Sequence, residues 1–249
     1  MMPIRLFSTD LDGTLLGDAV STQRFAAAWA ALPSSPEKPL LVFNSGRLVD
    51  DMRELVAAGY LPAPDYYIGG VGTQIADART GTPLGAFAEH LRDGWDRPRA
   101  DAIIAATPGI ERQPDKFQHE FKSSWYLRDA PPAQLAALRD ALAAAGLETG
   151  LVYSSRRDLD ILPARATKGG ALAWLARHIN MDTDSIVVAG DTGNDSSMFQ
   201  VPGVRGIIVG NALPELAEAT AEHAARIHRS PYPAAAGVLD GLRAHGLEL

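Results

Sequence analysis

Ile4-Arg5-Leu6-Phe7-Ser8-Thr9-Asp10-Leu11-Asp12-Gly13-Thr14-Leu15 leads an apolar run into two aspartates one residue apart, with a Gly-Thr pair behind them. Residues 4–9 are predicted to form a buried strand. Both carboxylates then sit just past its C-terminal end, where open α/β sheets place their ligands. Two carboxylates that close resist joint ionisation unless a cation or a proton intervenes. A polar loop closing a strand would account for the pair taken alone, so the rest of the chain has to decide.

Working outward, the same pattern recurs. Leu40-Leu41-Val42-Phe43 is short and apolar on every side, as a strand buried on both faces must be, and it runs into Asn44-Ser45-Gly46-Arg47. Asp65–Ile68 leads to the glycine-rich Gly69–Ile75, which lacks the spacing of a Walker A or dinucleotide loop. Ser185–Gly190 delivers Asp191-Thr192-Gly193-Asn194-Asp195, and Gly206–Val209 runs into Gly210-Asn211-Ala212. Helical stretches lie between: one capped from Ser21-Thr22 and carrying Phe25–Leu32, one from Val49 to Gly59, one over Ala171–Ile179 behind Lys168, one after Pro214 and a last one from Ala234. Alternating strand and helix argue an α/β fold with a Rossmann-like, doubly wound parallel sheet.

Between residues 81 and 163 the texture changes. A helix is expected over 89–106, a strand with a polar face over 118–127, a second helix from Pro131-Pro132 to Gly146, and a hairpin of 151–154 and 158–162 around Ser155-Arg156-Arg157. This reads α-β-β-α-β-β, an inserted α+β domain, with residues 1–80 and 164–249 forming the core.

Composition narrows the chemistry. The 249 residues contain no cysteine, which excludes thiolate metal sites and disulfides and leaves oxygen or imidazole ligands. Carboxylate-rich sites suit Mg²⁺ or Mn²⁺. A net charge of −7 argues against a nucleic-acid partner. No signal-peptide pattern and no window near 18 apolar residues is seen, so the expectation is a cytoplasmic protein with no membrane partner, monomeric or a weak homo-oligomer.

Asp10/Asp12, Ser45/Gly46/Arg47, Lys168 and Asp191/Asn194/Asp195 therefore converge on one edge of a parallel sheet. Phosphoryl transfer through an aspartyl-phosphate suits that set. A carboxylate attacks phosphorus, a divalent cation offsets its repulsion from the phosphate, and a second carboxyl handles protons. A hydroxyl, backbone amides and a lysine hold the phosphoryl oxygens.

These residues resemble the motifs of the haloacid dehalogenase-like phosphatase superfamily. Asp10-Leu11-Asp12-Gly13-Thr14 looks like its first motif, Ser45 its second, Lys168 its third and Gly190–Asp195 its fourth, with the insertion placed as a type C2 cap. Asp160-Ile161-Leu162-Pro163 ahead of Lys168-Gly169, Gly210–Leu216 and Ala236–Leu242 resemble the sucrose-phosphatase family. Phe43–Arg47 and Phe121–Tyr126 look like its bacterial branch that includes mannosylfructose-phosphate phosphatase, although Ser45 stands where sucrose phosphatases more often carry Thr.

The resemblance implies a Mg²⁺-dependent phosphatase acting on a small-molecule sugar phosphate: a fructosyl disaccharide phosphate, in mannosylfructose or sucrose phosphate. It makes Asp10 the nucleophile and Asp12 the general acid/base, with Asp12 also lending the metal a backbone carbonyl. Asp191 would be a metal ligand, and Asp195 a ligand or an orienter of metal-bound water. Ser45, Gly46, Lys168 and Asn194 would hold or support the phosphate. Arg47 and Gln74 in the core, with Gln118, His119, Glu120 and Lys122 in the cap, are the candidates for the sugar. A cap that opens and closes over the crevice is expected. A broad sugar-phosphate phosphatase and a non-catalytic sugar-phosphate sensor are the alternatives. The four histidines at 178, 223, 228 and 245 lack metal spacing and read as surface or helix residues, and Trp29, Trp95 and Trp174 as packing groups.

Overall fold

The computed structural model describes residues 2–154 and 156–249. The chain divides into two compact units, one running to Leu84 and resuming at Lys168, the other Gly85–Thr167.

The opening run gives β1 (Leu6–Thr9), buried throughout. Helix α1 (Ala19–Ala31) starts earlier than expected. Its N-cap is Asp18 rather than Ser21, because the Asp18 carboxylate accepts the Ser21 N–H at 2.8 Å. An ionised oxygen suits the positive end of a helix. The Thr22 hydroxyl turns back instead to the Leu15 carbonyl at 2.6 Å. There follow β2 (Leu40–Asn44), α2 (Val49–Ala57), β3 (Tyr66–Gly69) and β4 (Gln74–Asp77). Strand β4 runs antiparallel to β3, a short return that the glycine-rich loop permits.

The inserted unit contains α3 (Gly85–Arg92), α4 (Arg97–Ala105), β5 (Ile110–Arg112), β6 (Ser123–Leu127), α5 (Pro132–Ala144), β7 (Thr149–Ser154) and β8 (Asp158–Pro163). Its sheet is antiparallel, in the order β5-β6-β8-β7. The helix expected over 89–106 is two helices: Gly94 takes φ +75°, and Asp96 caps α4 by accepting the Arg99 N–H at 3.1 Å. The strand expected from 118 begins only at Ser123. Gln118 explains the difference, since its Nε2 donates to the Gln113 and Ser124 carbonyls and its Oε1 accepts the Ser124 N–H. One side chain thus does the work of a ladder, and His119 and Lys122 close a tight turn by exchanging backbone bonds of 3.1 and 3.0 Å. Ser155, in the expected hairpin turn, lies outside the described residues, as does Met1. Trp125, Leu127, Leu138, Leu142, Leu159 and Ile161 form this unit's core with Ala100 and Ile104.

The chain returns through α6 (Lys168–His178), β9 (Ile186–Gly190), α7 (Ser196–Phe199), β10 (Arg205–Ile208), α8 (Pro214–Ala219), β11 (Ile227–Arg229) and α9 (Ala234–Ala244). The sheet order is β11-β10-β9-β1-β2-β3-β4, parallel up to the last strand. Phe7 of β1, Phe25 and Trp29 of α1 meet with ring centroids 5.7 to 6.2 Å apart and anchor one face of the sheet. Their spacing explains the contact, because residues four apart share a helix face. Register does the rest: Thr9 of β1 lies between Phe43 of β2 and Ala189 of β9, so the three strands end level.

Candidate active site

Level strand ends bring Asp10, Ser45 and Asp191 side by side. The Asp10 N–H continues the ladder to the Ala189 carbonyl at 3.0 Å, and the Ser45 N–H donates to Ile68 O at 2.9 Å. Asp10 and Ser45 are therefore held by the last backbone hydrogen bonds at the ends of β1 and β2. Helix α6 delivers Lys168 at its first position, and Asn44 fixes that end by donating from Nδ2 to the Lys168 carbonyl at 3.0 Å.

Lys168 is buried between two carboxylates. Its Nζ donates to Oδ1 of Asp10 and to Oδ1 of Asp195, each at 2.6 Å. Asp195 spends its other oxygen on the loop itself, accepting the N–H groups of Asp191 and Thr192 at 3.0 Å each. Asp191 completes the group, and carboxylate oxygens of Asp10, Asp191 and Asp195 all lie within 4.8 Å of one another. Thr14, to which the sequence reading gave no role, donates to Asp191 Oδ1 at 2.9 Å. Its place in the Asp-Gly-Thr stretch was the available signal. Gly13 is required here: it takes φ +84°, and a Cβ on it would fall 2.2 Å from Asp191 Oδ2.

Three buried carboxylates face one ammonium, and the balance shows in their acidities. Burial is the main force on Asp10 and pushes its carboxyl up to about 8; Asp195 and Asp191 add to it, and Lys168 offsets only part. Asp191 is pushed up to about 6, chiefly by burial and then by Asp195. Burial works against the Lys168 charge, but Asp10 and Asp195 outweigh it and hold the ammonium above its ordinary range. The oxygen-only donor set, the close approach secured by Gly13 and the uncompensated negative charge fit a hard divalent cation.

Asp12 stands apart from this cluster. Its two oxygens accept from Arg47 Nε at 2.7 Å and Nη2 at 2.6 Å, a bidentate pair. The Arg47 N–H in turn donates to Ser45 Oγ at 3.2 Å. Arg47 thus meets Asp12, and Gln74 accepts the Val49 N–H at 3.0 Å and caps α2. Asn194 accepts from the Thr192 hydroxyl at 2.9 Å. Gly46 is half-buried beside Val71.

In the inserted unit, Gln118 is absorbed by the backbone bonds already described. Lys122 is buried and paired with Asp160 at 3.2 Å, while Asp160 also accepts from the Ser124 hydroxyl at 2.6 Å. His119 accepts the Phe121 N–H on Nδ1 at 3.3 Å, and burial lowers its basicity. Glu120 is exposed and 3.5 Å from Arg92. Elsewhere, His245 is buried against the Gly206 carbonyl at 2.9 Å rather than on the surface, and His228 pairs with Asp240 at 2.7 Å. Among the described residues no helix is long and apolar enough to cross a membrane.

Comparison with known proteins follows the same lines. The model of the family described as sucrose-6F-phosphate phosphohydrolase matches residues 3–246. A mannosylfructose-phosphate phosphatase of Agrobacterium fabrum is 47% identical over 99% of both chains. Sucrose-phosphatase 1 of Nicotiana tabacum is 31% identical over 94% of this chain, which spans 57% of that protein. The solved sucrose-phosphatase of a Synechocystis species, in complex with sucrose and phosphate, superposes with a TM-score of 0.87 at 28% identity over 98% of each chain. The chain belongs to the sucrose-6F-phosphate phosphohydrolase family.

Proposed function

We propose that this phosphatase hydrolyses a fructosyl disaccharide phosphate, mannosylfructose 6-phosphate before sucrose 6-phosphate, with Mg²⁺ and through a phosphoryl group carried on Asp10. The observation that carries the chemistry is Lys168 clasped between Asp10 and Asp195, with Asp191 in the same cluster. The full-length identity of 47% to a mannosylfructose-phosphate phosphatase supports the substrate.

Asp10 attacks phosphorus with one carboxylate oxygen while Lys168 holds the other. The bond from phosphorus to the sugar oxygen breaks, and Asp12 gives that oxygen a proton. Water then attacks phosphorus, loses a proton to Asp12, and releases inorganic phosphate and the free Asp10 carboxylate. Ser45, the Gly46 N–H and Lys168 hold the phosphoryl oxygens. Asp10, Asp191 and the Asp12 carbonyl would hold Mg²⁺, which when bound supplies the positive charge that keeps Asp10 ionised and offsets the phosphate. Asp195, with both oxygens engaged, holds Lys168 and the loop in place. The inserted unit, Gly85–Thr167, we assign as the cap, with His119 and Glu120 as its candidates for sugar contact.

A substrate panel tests the reading. Phosphate release from mannosylfructose phosphate, sucrose phosphate and hexose monophosphates is measured with Mg²⁺ and with EDTA. The disaccharide phosphates are expected to show the highest kcat/KM, with EDTA abolishing turnover. Equal kcat/KM across the panel would replace this reading with a broad sugar-phosphate phosphatase.

A further inference from the structure

We infer that Arg47 is a positioning residue for the general acid/base: its guanidinium fork fixes the Asp12 carboxylate, and the Ser45 hydroxyl accepts the Arg47 backbone N–H. The inference rests on the proposed roles of Asp10 and Asp12. It departs from the sequence expectation that Arg47 touches the sugar.

The observations are geometric. Arg47 reaches Asp12 with two parallel bonds of 2.7 and 2.6 Å, the planar arrangement only an arginine offers a carboxylate. The pair is not a stability device, since the Asp12 and Arg47 side chains are 54% and 37% exposed and such pairs contribute little to folding. Asp12 lies in the loop beyond β1, in an isolated bridge with Leu16, so its backbone is set while an unpaired exposed side chain would sample several rotamers. The fork removes that freedom. A carboxylate has about four lone-pair sites, and the fork takes one on each oxygen. Of the remaining sites, one can carry the proton that Asp12 gives the leaving-group oxygen, and the ionised carboxylate left behind can then take a proton from water. The N–H of Arg47 on Ser45 Oγ, at 3.2 Å, links the hydroxyl assigned to the phosphate with the carboxylate assigned to the proton. Adjacent parallel strands β1 and β2 place the two loops within reach of each other. A preorganised catalytic group needs this kind of support.

The test separates positioning from sugar binding by using substrates that carry no sugar. kcat/KM is measured for p-nitrophenyl phosphate, phenyl phosphate and a simple alkyl phosphate, with wild type, Arg47→Ala, Arg47→Lys and each change combined with Asp12→Ala. A poor alcohol leaving group needs the proton and p-nitrophenolate does not. Arg47→Ala is expected to lower kcat/KM about ten- to a hundredfold for the alkyl ester and less than about threefold for p-nitrophenyl phosphate. Arg47→Lys is expected to share the defect, since it keeps the charge without the fork. Adding Arg47→Ala to Asp12→Ala should cost nothing more. Crystals of metal-free Arg47→Ala should show the Asp12 carboxylate away from the position it holds here. An equal loss on all three esters, a loss that persists in the Asp12→Ala background, or a raised KM confined to sugar phosphates would overturn the inference. Absence of Mg²⁺-dependent turnover of every ester by the wild-type protein would instead refute the phosphatase reading on which it rests.

Discussion

At the scale of the residue, the site is a problem in charge. Asp10, Asp191 and Asp195 are drawn together against their own repulsion, and Lys168 answers only part of it. Gly13 makes the approach possible. Gly13→Ala puts a methyl 2.2 Å from Asp191 Oδ2 on a backbone at φ +84°, so it is expected to destabilise the protein by about 1–3 kcal/mol and to weaken Mg²⁺ binding. Thermal melts with and without Mg²⁺ check both effects, and an unchanged metal affinity would separate Gly13 from the site. The residue types at the strand ends were legible from the sequence. Their partners were not: Arg47 on Asp12, Gln74 on the Val49 N–H and Thr14 on Asp191 are long-range or loop contacts that no local spacing encodes.

At the scale of the element, the central strands announced themselves because a strand buried on both faces is dominated by apolar residues: β9 has no polar side chain, β2 is apolar up to Asn44, and β1 opens on Leu6 and Phe7 before its buried Ser8 and Thr9. The peripheral ones did not. Strands β4, β5 and β11 have three or four residues each, too few for alternation to emerge. Polar side chains also rewrote local structure, as Gln118 did to the start of β6 and Asp96 to the helix after Gly94. The seating of α6 is the element-level condition for the proposed catalysis, since its first residue is Lys168. A Cβ on Gly169 would fall 2.0 Å from the Ser197 carbonyl oxygen, so Gly169→Ala must push the helix off α7. It is expected to lower kcat at least about tenfold with a lower melting temperature. Steady-state kinetics on the purified variant would contradict this by showing wild-type turnover. In the aromatic cluster, Phe25→Ala removes a fully buried ring and is expected to cost about 3–5 kcal/mol in a denaturant titration, with kcat per folded molecule preserved.

At the scale of the whole molecule, the buried carboxylates couple stability to pH and to metal. Asp10, raised to about 8, keeps a proton in the folded protein that it loses in the unfolded chain above about 4. The folded state then binds more protons, so stability of the metal-free protein falls as pH rises toward 8. Asp191, raised to about 6, acts in the same direction at lower pH. His119 and His245 are lowered by burial and act oppositely, but only below about 6.5, where the unfolded chain takes up their protons. Between pH 6.5 and 8, therefore, the melting temperature of the metal-free protein is expected to fall. Added Mg²⁺ should stabilise more at pH 8 than at pH 6.5, because fewer molecules then carry the Asp10 proton that it has to displace. Melting temperatures that rise across this window without metal would contradict the charge balance described for the site.

The central claim is that Asp10 carries the phosphoryl group, and the most direct measurement is turnover of Asp10→Asn with Mg²⁺ on mannosylfructose 6-phosphate. The account expects a folded protein with no detectable phosphate release. Turnover within about tenfold of wild type would contradict it, since a neutral amide cannot perform the attack.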